Sequence, residues 1–383
     1  MKQLNVLYIL TKLELGGAQK VCLTLHQGLV RNQHNAMLVS GAEGVLVDEA
    51  QKTPGCIFLD SFKREISFSG FMHDLKTFRT LIALMRNYKK IYPDLIVHTH
   101  STKAGIIGRW AAFFAGIKNR VHTVHGFGFH DHQRFLPWLT IVGMEWFTTL
   151  ITTHLICVSD KDLKRGSKLL PFFAKKSSII RAAVTDQHFI TPAKRTDTHK
   201  KHLIIGVISC FKAQKNLFDL LEAFRIARTT AAKQGIDARL EIVGDGEQRG
   251  AIETWIATHK YNNIITLHGW QRDVQKFLRR WDIFALSSLW EGLPCSVIEA
   301  RLAGLAVVAY DVGGISEVIT HGINGFLITP GDYTALASHL EELVCNQTLR
   351  TRLQQHQENL THFSARSMIT QHETLYKKIE ITR

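Results

Sequence analysis

Paired cysteines are missing. The six, at positions 22, 56, 157, 210, 295 and 345, are scattered through 383 residues, and no CxxC occurs. That pattern excludes a disulfide framework, speaks against a structural zinc site and fits a reducing compartment. Long uncharged apolar runs are missing too: none reaches the roughly eighteen residues that a bilayer-spanning helix needs. The nearest, FLPWLTIVGMEWFTTLITT at 135–153, is interrupted by Glu145 and carries Pro137. It reads as a buried helix of an α/β domain, with partial contact with a membrane surface as the alternative. The N-terminus, MKQLNVLYILTKLELGG, has a seven-residue apolar run and no cleavage-site pattern. It reads as a first strand rather than a signal peptide. No low-complexity tract or short-period repeat is present, which excludes a repeat array.

Acidic residues are scarce in one half only. Residues 1–185 hold 24 Lys and Arg against 12 Asp and Glu, whereas residues 186–383 hold 23 against 21. The net charge of +14 therefore lies almost wholly on the first half. Such a surface fits nucleic acid, an anionic membrane or a phosphorylated acceptor. An apolar content of 45% and a charged content of 21% describe an ordinary folded protein, long enough for two domains with full cores.

Apolar strands alternate with helical patterns along both halves. In the first, NVLYILT (5–11), AMLVS (36–40), CIFLD (56–60), DLIVHTH (94–100), RVHTVHG (120–126) and THLICVS (153–159) read as strands. AQKVCLTLHQGLV (18–30), LKTFRTLIALMRNYKKI (75–91) and AGIIGRWAAFFAG (104–116) have helical periodicity. Residues 186–201 are polar and patternless and read as the interdomain linker. The alternation restarts with HLIIGVIS (202–209) and continues through LEIVG (240–244), IITLHG (264–269), WDIFALSS (281–288), LAVVAY (305–310) and GFLIT (325–329). Strands separated by helices imply parallel sheets covered on both faces. The expected architecture is α/β, with two doubly wound, Rossmann-like domains at 1–185 and 202–364 and a last helix, 365–383, that crosses back to the first.

The stretch LSSLWEGLPCSVIEARLAG (286–304) carries the densest chemistry. A strand runs into a turn with Glu291, Gly292, Leu293 and Pro294, and a helix starts near Cys295 and carries Glu299. Pro294 suits the first turn of that helix, and Gly292 lets backbone approach a ligand closely. Unpaired amides at the helix start attract an anion. Carboxylates bind hydroxyls and the cradle binds phosphate, so a nucleotide sugar fits the turn.

With Glu291 and Glu299 spaced as EGLPCSVIEA, followed by DVGGISEVI (311–319) and NGFLITPGD (324–332), the chain resembles family 4 retaining glycosyltransferases of the GT-B fold over nearly its whole length. HTHSTKAGIIGRWAAFFAG with TVHGF is similar to bacterial enzymes of surface-polysaccharide and lipopolysaccharide assembly. The resemblance implies two domains facing across a cleft, the second holding a UDP- or GDP-sugar and the first a saccharide or polyprenyl-diphosphate-linked acceptor. It assigns Glu291 to the sugar hydroxyls and Glu299 to the ribose, with the backbone of Leu293 to Cys295 near the diphosphate. In ISCFKAQKNL (208–217), Lys215 matches the family's diphosphate lysine. The family's usual arginine is replaced by Cys210, and Lys212 is the residue that supplies the missing charge from the same loop. By resemblance, Gly16 and Gly17 form a loop against the diphosphate and acceptor. His125 contacts the donor sugar and reacting centre, and His130 lines the acceptor side. His98 and His100, on one face of their strand with Lys103 following, read as hydroxyl and phosphate contacts on the acceptor side, with plain packing or metal binding as the alternatives. Gly244 and Gly246 bring backbone near the nucleotide, and Trp270 and Val274 lie by the base. The implied chemistry is one-faced substitution in which the leaving phosphate helps deprotonate the acceptor. No metal or other cofactor is expected, nor nucleic acid. The expected location is cytoplasmic, peripheral at the inner face of the membrane.

VGDGEQRG (243–250) stands where a dinucleotide fingerprint would, but its glycines are spaced one residue too long and no acidic residue follows about twenty positions on. Two other readings share the two-domain layout: a sugar-nucleotide 2-epimerase, and a nucleotide-sugar-binding protein without catalysis.

Overall fold

Among the described residues thirteen short segments, nearly all apolar, form strands, most of them buried on both faces, as parallel strands between helix layers must be. The computed structural model describes residues 2–63, 68–186 and 202–381. It divides into two units, residues 1–183 with 362–383, and residues 184–361. The segment read as a linker falls outside the described residues except for Asp186.

Unit 1 is built from β1 (Asn5–Ile9), α1 (Gly17–Arg31), β2 (Asn35–Ser40), α2 (Val47–Gln51), β3 (Cys56–Phe58) and α3 (Phe68–Ile91). It continues with β4 (Ile96–His100), α4 (Thr102–Phe114), β5 (Asn119–Val124), α5 (Phe135–Ile151), β6 (His154–Cys157), α6 (Asp160–Leu169) and β7 (Ser177–Ile179). All seven strands are parallel, in the order β3-β2-β1-β4-β5-β6-β7. Val6 pairs with Ala36 on one side and Ile96 on the other, so the order reverses between β1 and β4. Leu7, Ile9, Val39, Val97, Leu81 and Met85 form the core on one face of the sheet.

Unit 2 comprises β8 (Leu203–Ile208), α7 (Leu217–Lys233), β9 (Ala238–Val243), α8 (Arg249–Thr258), β10 (Ile265–Leu267), α9 (Gln275–Leu278) and β11 (Ile283–Leu286). α10 (Cys295–Leu302), β12 (Ala306–Tyr310), β13 (Gly325–Ile328), α11 (Tyr333–Cys345) and α12 (Gln347–Gln355) complete it. Its six parallel strands run β10-β9-β8-β11-β12-β13, with the reversal between β8 and β11. Gly206 on β8 lies under the fully buried Trp281 ring, where a Cβ would overlap the indole; its Nε1 donates to Glu241 Oε2 at 2.8 Å.

The last helix, α13 (Ala365–Ile381), packs on unit 1. Tyr376 is wholly buried there; its hydroxyl shares hydrogen bonds with Tyr8 Oη at 3.1 Å and His98 Nδ1 at 2.6 Å. At its edges Lys2 pairs with Glu380 at 3.0 Å, and Asn32 donates to Glu373 at 2.6 Å.

One expectation is overturned. α5, read as a buried helix, buries only Glu145, Thr148 and Thr149, while most of its large apolar side chains face outward. The polar residues point inward because α4 supplies partners. Arg109 donates to Glu145 at 2.8 Å, Thr152 at 3.0 Å and the Gly105 carbonyl at 2.8 Å, and Trp110 donates to Thr148 at 2.9 Å. β7, α11 and α12 carry no expectation from the sequence. Three residues, SSI, are too few for a period, and α11 and α12 follow the last motif.

Candidate active site

In open α/β sheets, ligands bind at the carboxyl ends of strands where the strand order reverses. In unit 2 the loops at that point follow β8 and β11, and they hold Lys212, Lys215, Glu291 and Gly292. The Lys215 ammonium and the Glu291 carboxylate meet in an ion pair across the reversal. Burial pulls the Lys215 pKa down, but the Glu291 carboxylate outweighs it and the net shift is upward, so Lys215 stays a cation. Cys210 and Cys295 lie close enough to act on the same ammonium.

The lysine loop is fastened to the glutamate turn by residues that the sequence did not single out. Gln214 donates to the Trp290 carbonyl at 2.7 Å, and Leu289 N donates to the Gln214 carbonyl at 2.8 Å. Ser287 Oγ reaches the Lys215 and Asn216 carbonyls at 3.0 and 2.9 Å. Asn216 adopts the left-handed conformation, φ 43°, where asparagine is tolerated better than most residues, and caps α7. Gly314 N donates to the Gly292 carbonyl at 2.5 Å, and Gly313, at φ 52°, packs on the Glu291 backbone where a side chain has no room. A legible signal was available for this contact, the Gly-Gly of DVGGISEVI.

Pro294 is the N-cap of α10 rather than a residue of its first turn, at φ −74° and ψ 111°. No side chain caps this end, and the Val297 amide donates back to the Pro294 carbonyl at 3.1 Å; the helix start still carries the positive end of its dipole. Leu293 and Glu299 are buried and Cys295 is half-buried. Gly244, at φ 138°, sits so close to the Ser209 carbonyl that a Cβ there would collide with it. Gly244 N donates to the Gly269 carbonyl at 2.9 Å, and Phe211 N to the Asp245 carbonyl at 2.9 Å. Gly246 packs against the Phe211 backbone. The loops after β8, β9 and β10 thus share one rim of unit 2. Trp270 stands exposed next to Gly269, and Val274 is buried.

In unit 1 the reversal lies between β1 and β4. Thr11 Oγ1 and Ser101 Oγ share a hydrogen bond of 2.8 Å across it. Ser101 is held at φ 65°, ψ 152°, a conformation that costs a non-glycine residue about 1–3 kcal/mol and that gathers at functional sites. Gly16 caps α1 with extended backbone, Gly17 begins that helix, and no side chain caps its amides. Lys103 is anchored to Asp74 at 2.8 Å. Past the end of β5, His125 is half-buried, and its Nε2 shares a 2.8 Å hydrogen bond with His100 Nδ1. Burial first, and then the nearby His372, lower the His125 pKa to about 3. His125 is therefore a neutral hydrogen-bonding group at working pH, not a cation. Gly128 lies against Thr102, and the following turn places His130 beside His132, with ring centroids 6.2 Å apart.

His98 does not line an acceptor side. It is wholly buried, and both ring nitrogens are engaged, by Tyr376 and by Thr123 at 2.8 Å. Two-residue spacing does put His98 and His100 on one face, with centroids 4.4 Å apart, but α13 covers that face. His100 is also buried, with Nε2 lacking a hydrogen-bond partner. Among the described residues, no group of three or more His, Cys, Asp or Glu side chains is arranged to hold a metal ion.

This enclosure has a pH consequence. Burial is the main cause that lowers His98 and His100 well below the usual range and His372 to about 4. An unfolded histidine titrates near 6.5, so on acidification the unfolded chain takes up protons first. The stability these groups contribute is complete above about pH 6.5 and declines as pH falls toward the folded values of about 4 for His372 and about 3 for His125. The melting temperature of the protein is expected to drop between about pH 7 and pH 5, each histidine contributing up to about 1.4 kcal/mol per pH unit. His372→Leu should flatten that slope. An unchanged slope would mean that α13 does not seal the histidines in solution.

Comparisons with known proteins bear on the family and the fold. Residues 15–188 match the family model described as Glycosyltransferase Family 4, and residues 191–360 match that of glycosyl transferases group 1. The UDP-Gal:alpha-D-GlcNAc-diphosphoundecaprenol alpha-1,3-galactosyltransferase of Escherichia coli is 31% identical over 344 residues, 88% of this chain and 86% of that protein. The capsular polysaccharide biosynthesis glycosyltransferase CapM of Staphylococcus aureus is 24% identical over 75% of each chain. Among solved structures, Anabaena Alr3699/HepE in complex with UDP and glucose superposes with a TM-score of 0.79 at 18% identity, over 97% of this chain and 99% of that one. Sucrose-phosphate synthase from Thermosynechococcus elongatus gives 0.78 at 16% identity over the full length of both; these two show the shared GT-B fold. With both halves matched in order and a curated relative aligned almost end to end, the chain belongs to the family 4 glycosyltransferases, its second unit being their group 1 module.

Proposed function

We propose that this glycosyltransferase moves a hexose from a UDP-sugar, with retention at the anomeric carbon, to a hydroxyl of a polyprenyl-diphosphate-linked saccharide in cell-surface polysaccharide assembly. The observation that carries the reading is the Lys215–Glu291 pair at the strand reversal of unit 2: a cation for diphosphate beside a carboxylate for sugar hydroxyls. The identity with the galactosyltransferase of Escherichia coli supports a UDP-hexose donor and a lipid-diphosphate acceptor.

In this reading unit 2 takes the donor. Glu291 accepts hydrogen bonds from the sugar hydroxyls and Glu299 from the ribose. The diphosphate lies on the amides that start α10, with Lys215 and Lys212 meeting its charge, while Gly244, Gly246, Trp270 and Val274 border the nucleoside. The bond from the anomeric carbon to phosphate oxygen breaks, and one to the acceptor oxygen forms on the same face. The acceptor proton passes to the departing phosphate, whose growing charge the lysines stabilise. Unit 1 takes the acceptor, with Gly16, Gly17, Lys103 and His130 near it and His125 as a neutral hydrogen-bonding group. No divalent cation is needed to bridge the diphosphate. The enzyme acts in the cytoplasm, at the inner face of the membrane; among the described residues no helix is long and apolar enough to cross one.

A thermal-shift screen of UDP-galactose, UDP-glucose, UDP-N-acetylglucosamine and GDP-mannose, with and without chelator, tests this. At a hundredfold excess over Kd the true donor stabilises by about 2.7 kcal/mol, expected to be a UDP-hexose and indifferent to chelator. Preference for GDP-mannose would overturn the donor assignment, and loss of the shift with chelator would overturn the metal-free one. An epimer formed from donor alone would replace transfer with epimerisation.

A further inference from the structure

α5 is turned inside out. Its inward stripe is Trp138, Ile141, Val142, Glu145, Thr148 and Thr149, whereas Phe135, Leu136, Leu139, Trp146, Phe147 and Leu150 recur at helical spacing on the outward side. Phe135, Leu136 and Phe147 are 69%, 72% and 61% exposed. At 1.5 Å per residue the stripe is about 25 Å long. The neighbouring end of α4 extends it with exposed Phe113 and Phe114, whose rings meet at 5.6 Å. Glu145 and Thr148 are held by α4 on the inward side, while the outward rings are exposed and add little to the packing of unit 1. An apolar patch of this extent on a folded surface marks an interaction site.

Charge says which kind. From residue 75 to residue 153 there are ten Lys and Arg against three acidic residues, Asp94, Asp131 and Glu145. Each acid is already matched within unit 1: Asp94 by Lys2 at 3.0 Å, Asp131 by Arg165 at 2.8 Å, and Glu145 by Arg109 at 2.8 Å. Cations stand around the apolar stripe. Arg134 caps the start of α5. Lys176 Nζ donates to the Thr149 and Thr152 carbonyls at its end, the latter at 2.9 Å. The Arg120 guanidinium lies 5.5 Å from the Phe113 ring centre and donates to the Ile151 carbonyl at 2.5 Å. Lys118 is exposed beyond α4, and Arg86 and Lys89 reach the Phe114 and Gly116 carbonyls at 3.3 and 2.9 Å. Aromatic and aliphatic side chains along one helix face, edged by cations and without a free carboxylate, are what an anionic lipid interface accepts from a helix lying in its plane.

We infer that α5, with Phe113 and Phe114 of α4, is the membrane-docking surface: it lies flat in the headgroup region of an anionic bilayer, its outward side chains among the upper acyl chains. The physiological purpose rests on the lipid-linked acceptor proposed above, which this surface would keep within reach of unit 1. The docking itself stands on the helix alone.

The full-length chain, with no acceptor present, is sedimented with vesicles of phosphatidylethanolamine and phosphatidylglycerol and with phosphatidylcholine vesicles. Expected is co-sedimentation with the anionic vesicles, together with quenching of Trp146 by brominated acyl chains, identified as the part of the signal lost in Trp146→Phe. The variant Phe135→Ser/Leu136→Ser/Trp146→Ser/Phe147→Ser should lose at least about tenfold in partition. Its melting temperature and its transfer to a short-chain, water-soluble acceptor should stay unchanged, because these side chains support neither the fold nor the site. Wild-type partition by the variant, or anionic binding without Trp146 quenching, overturns the inference. So does a vesicle-free dimer that the variant converts to monomer, since the face then covers a second copy. If docking holds and no lipid-linked saccharide is ever glycosylated, the acceptor reading falls while the docking surface stands.

Discussion

Lys215→Ala is expected to lower the transfer rate by about a thousandfold, the upper range for removing one group that stabilises a departing anion. The loss should fall on kcat more than on KM, because charge on the leaving diphosphate grows on the way to the transition state. Two features make Lys215 the more important of the two lysines. It is the cation fastened to the glutamate turn, through Gln214 and Ser287 as well as through its own ion pair. It also keeps its proton despite burial, because the Glu291 carboxylate holds it. The same pairing leaves Lys215 partly neutralised by Glu291, so in the proposed reading the diphosphate takes a second cation, Lys212, from the N-cap position of the same turn. Lys212→Ala should therefore cost about tenfold to a hundredfold, and Lys212→Arg should recover most of it. Single-turnover rates for the three variants, with folding checked by melting, decide the matter. A Lys215→Ala enzyme within tenfold of wild type would remove this lysine from the diphosphate. An unaffected Lys212→Ala would show that Cys210 marks a true loss of charge rather than a relocation.

Arg109→Ala is expected to destabilise unit 1 by about 3–5 kcal/mol, which for a domain of this size lowers its melting temperature by roughly 6–20 °C. The guanidinium is wholly buried and donates to Glu145, Thr152 and the Gly105 carbonyl. Removing it strands the Glu145 carboxylate between α4 and α5. Arg109→Met with Glu145→Met leaves no unpaired charge and should recover most of the stability, as apolar replacement of buried pairs commonly does. Thermal unfolding followed by circular dichroism separates the cases. A single variant that melts like wild type would mean that Glu145 reaches solvent, and that α5 is not held with its polar face inward.

The two doubly wound units were legible because most strands are short apolar runs buried on both faces, a pattern that needs no knowledge of its neighbours; β7, with its two serines, is the strand that escaped it. The glutamate turn was legible for the same reason: strand, Gly292, Pro294 and the start of α10 are contiguous, and their chemistry is local. What lay beyond the sequence was everything that depends on a distant partner. Whether 135–151 faces inward or outward is decided by Arg109 and Trp110 on a different helix. A hydrophobic period fixes only that a helix has two faces. His98 and His100 shared a face in the sequence as in the structure, but the ring that seals His98 belongs to Tyr376, 278 residues away. Gln214 and Ser287 carry no motif; they matter because parallel strands bring the ends of β8 and β11 side by side. Local backbone preference and burial pattern determined the elements, their order and the carboxylate turn. The tertiary structure decided which polar groups are used up inside, and so which side chains remain at the surface, because a buried charge or hydroxyl must find its partner wherever the fold delivers one.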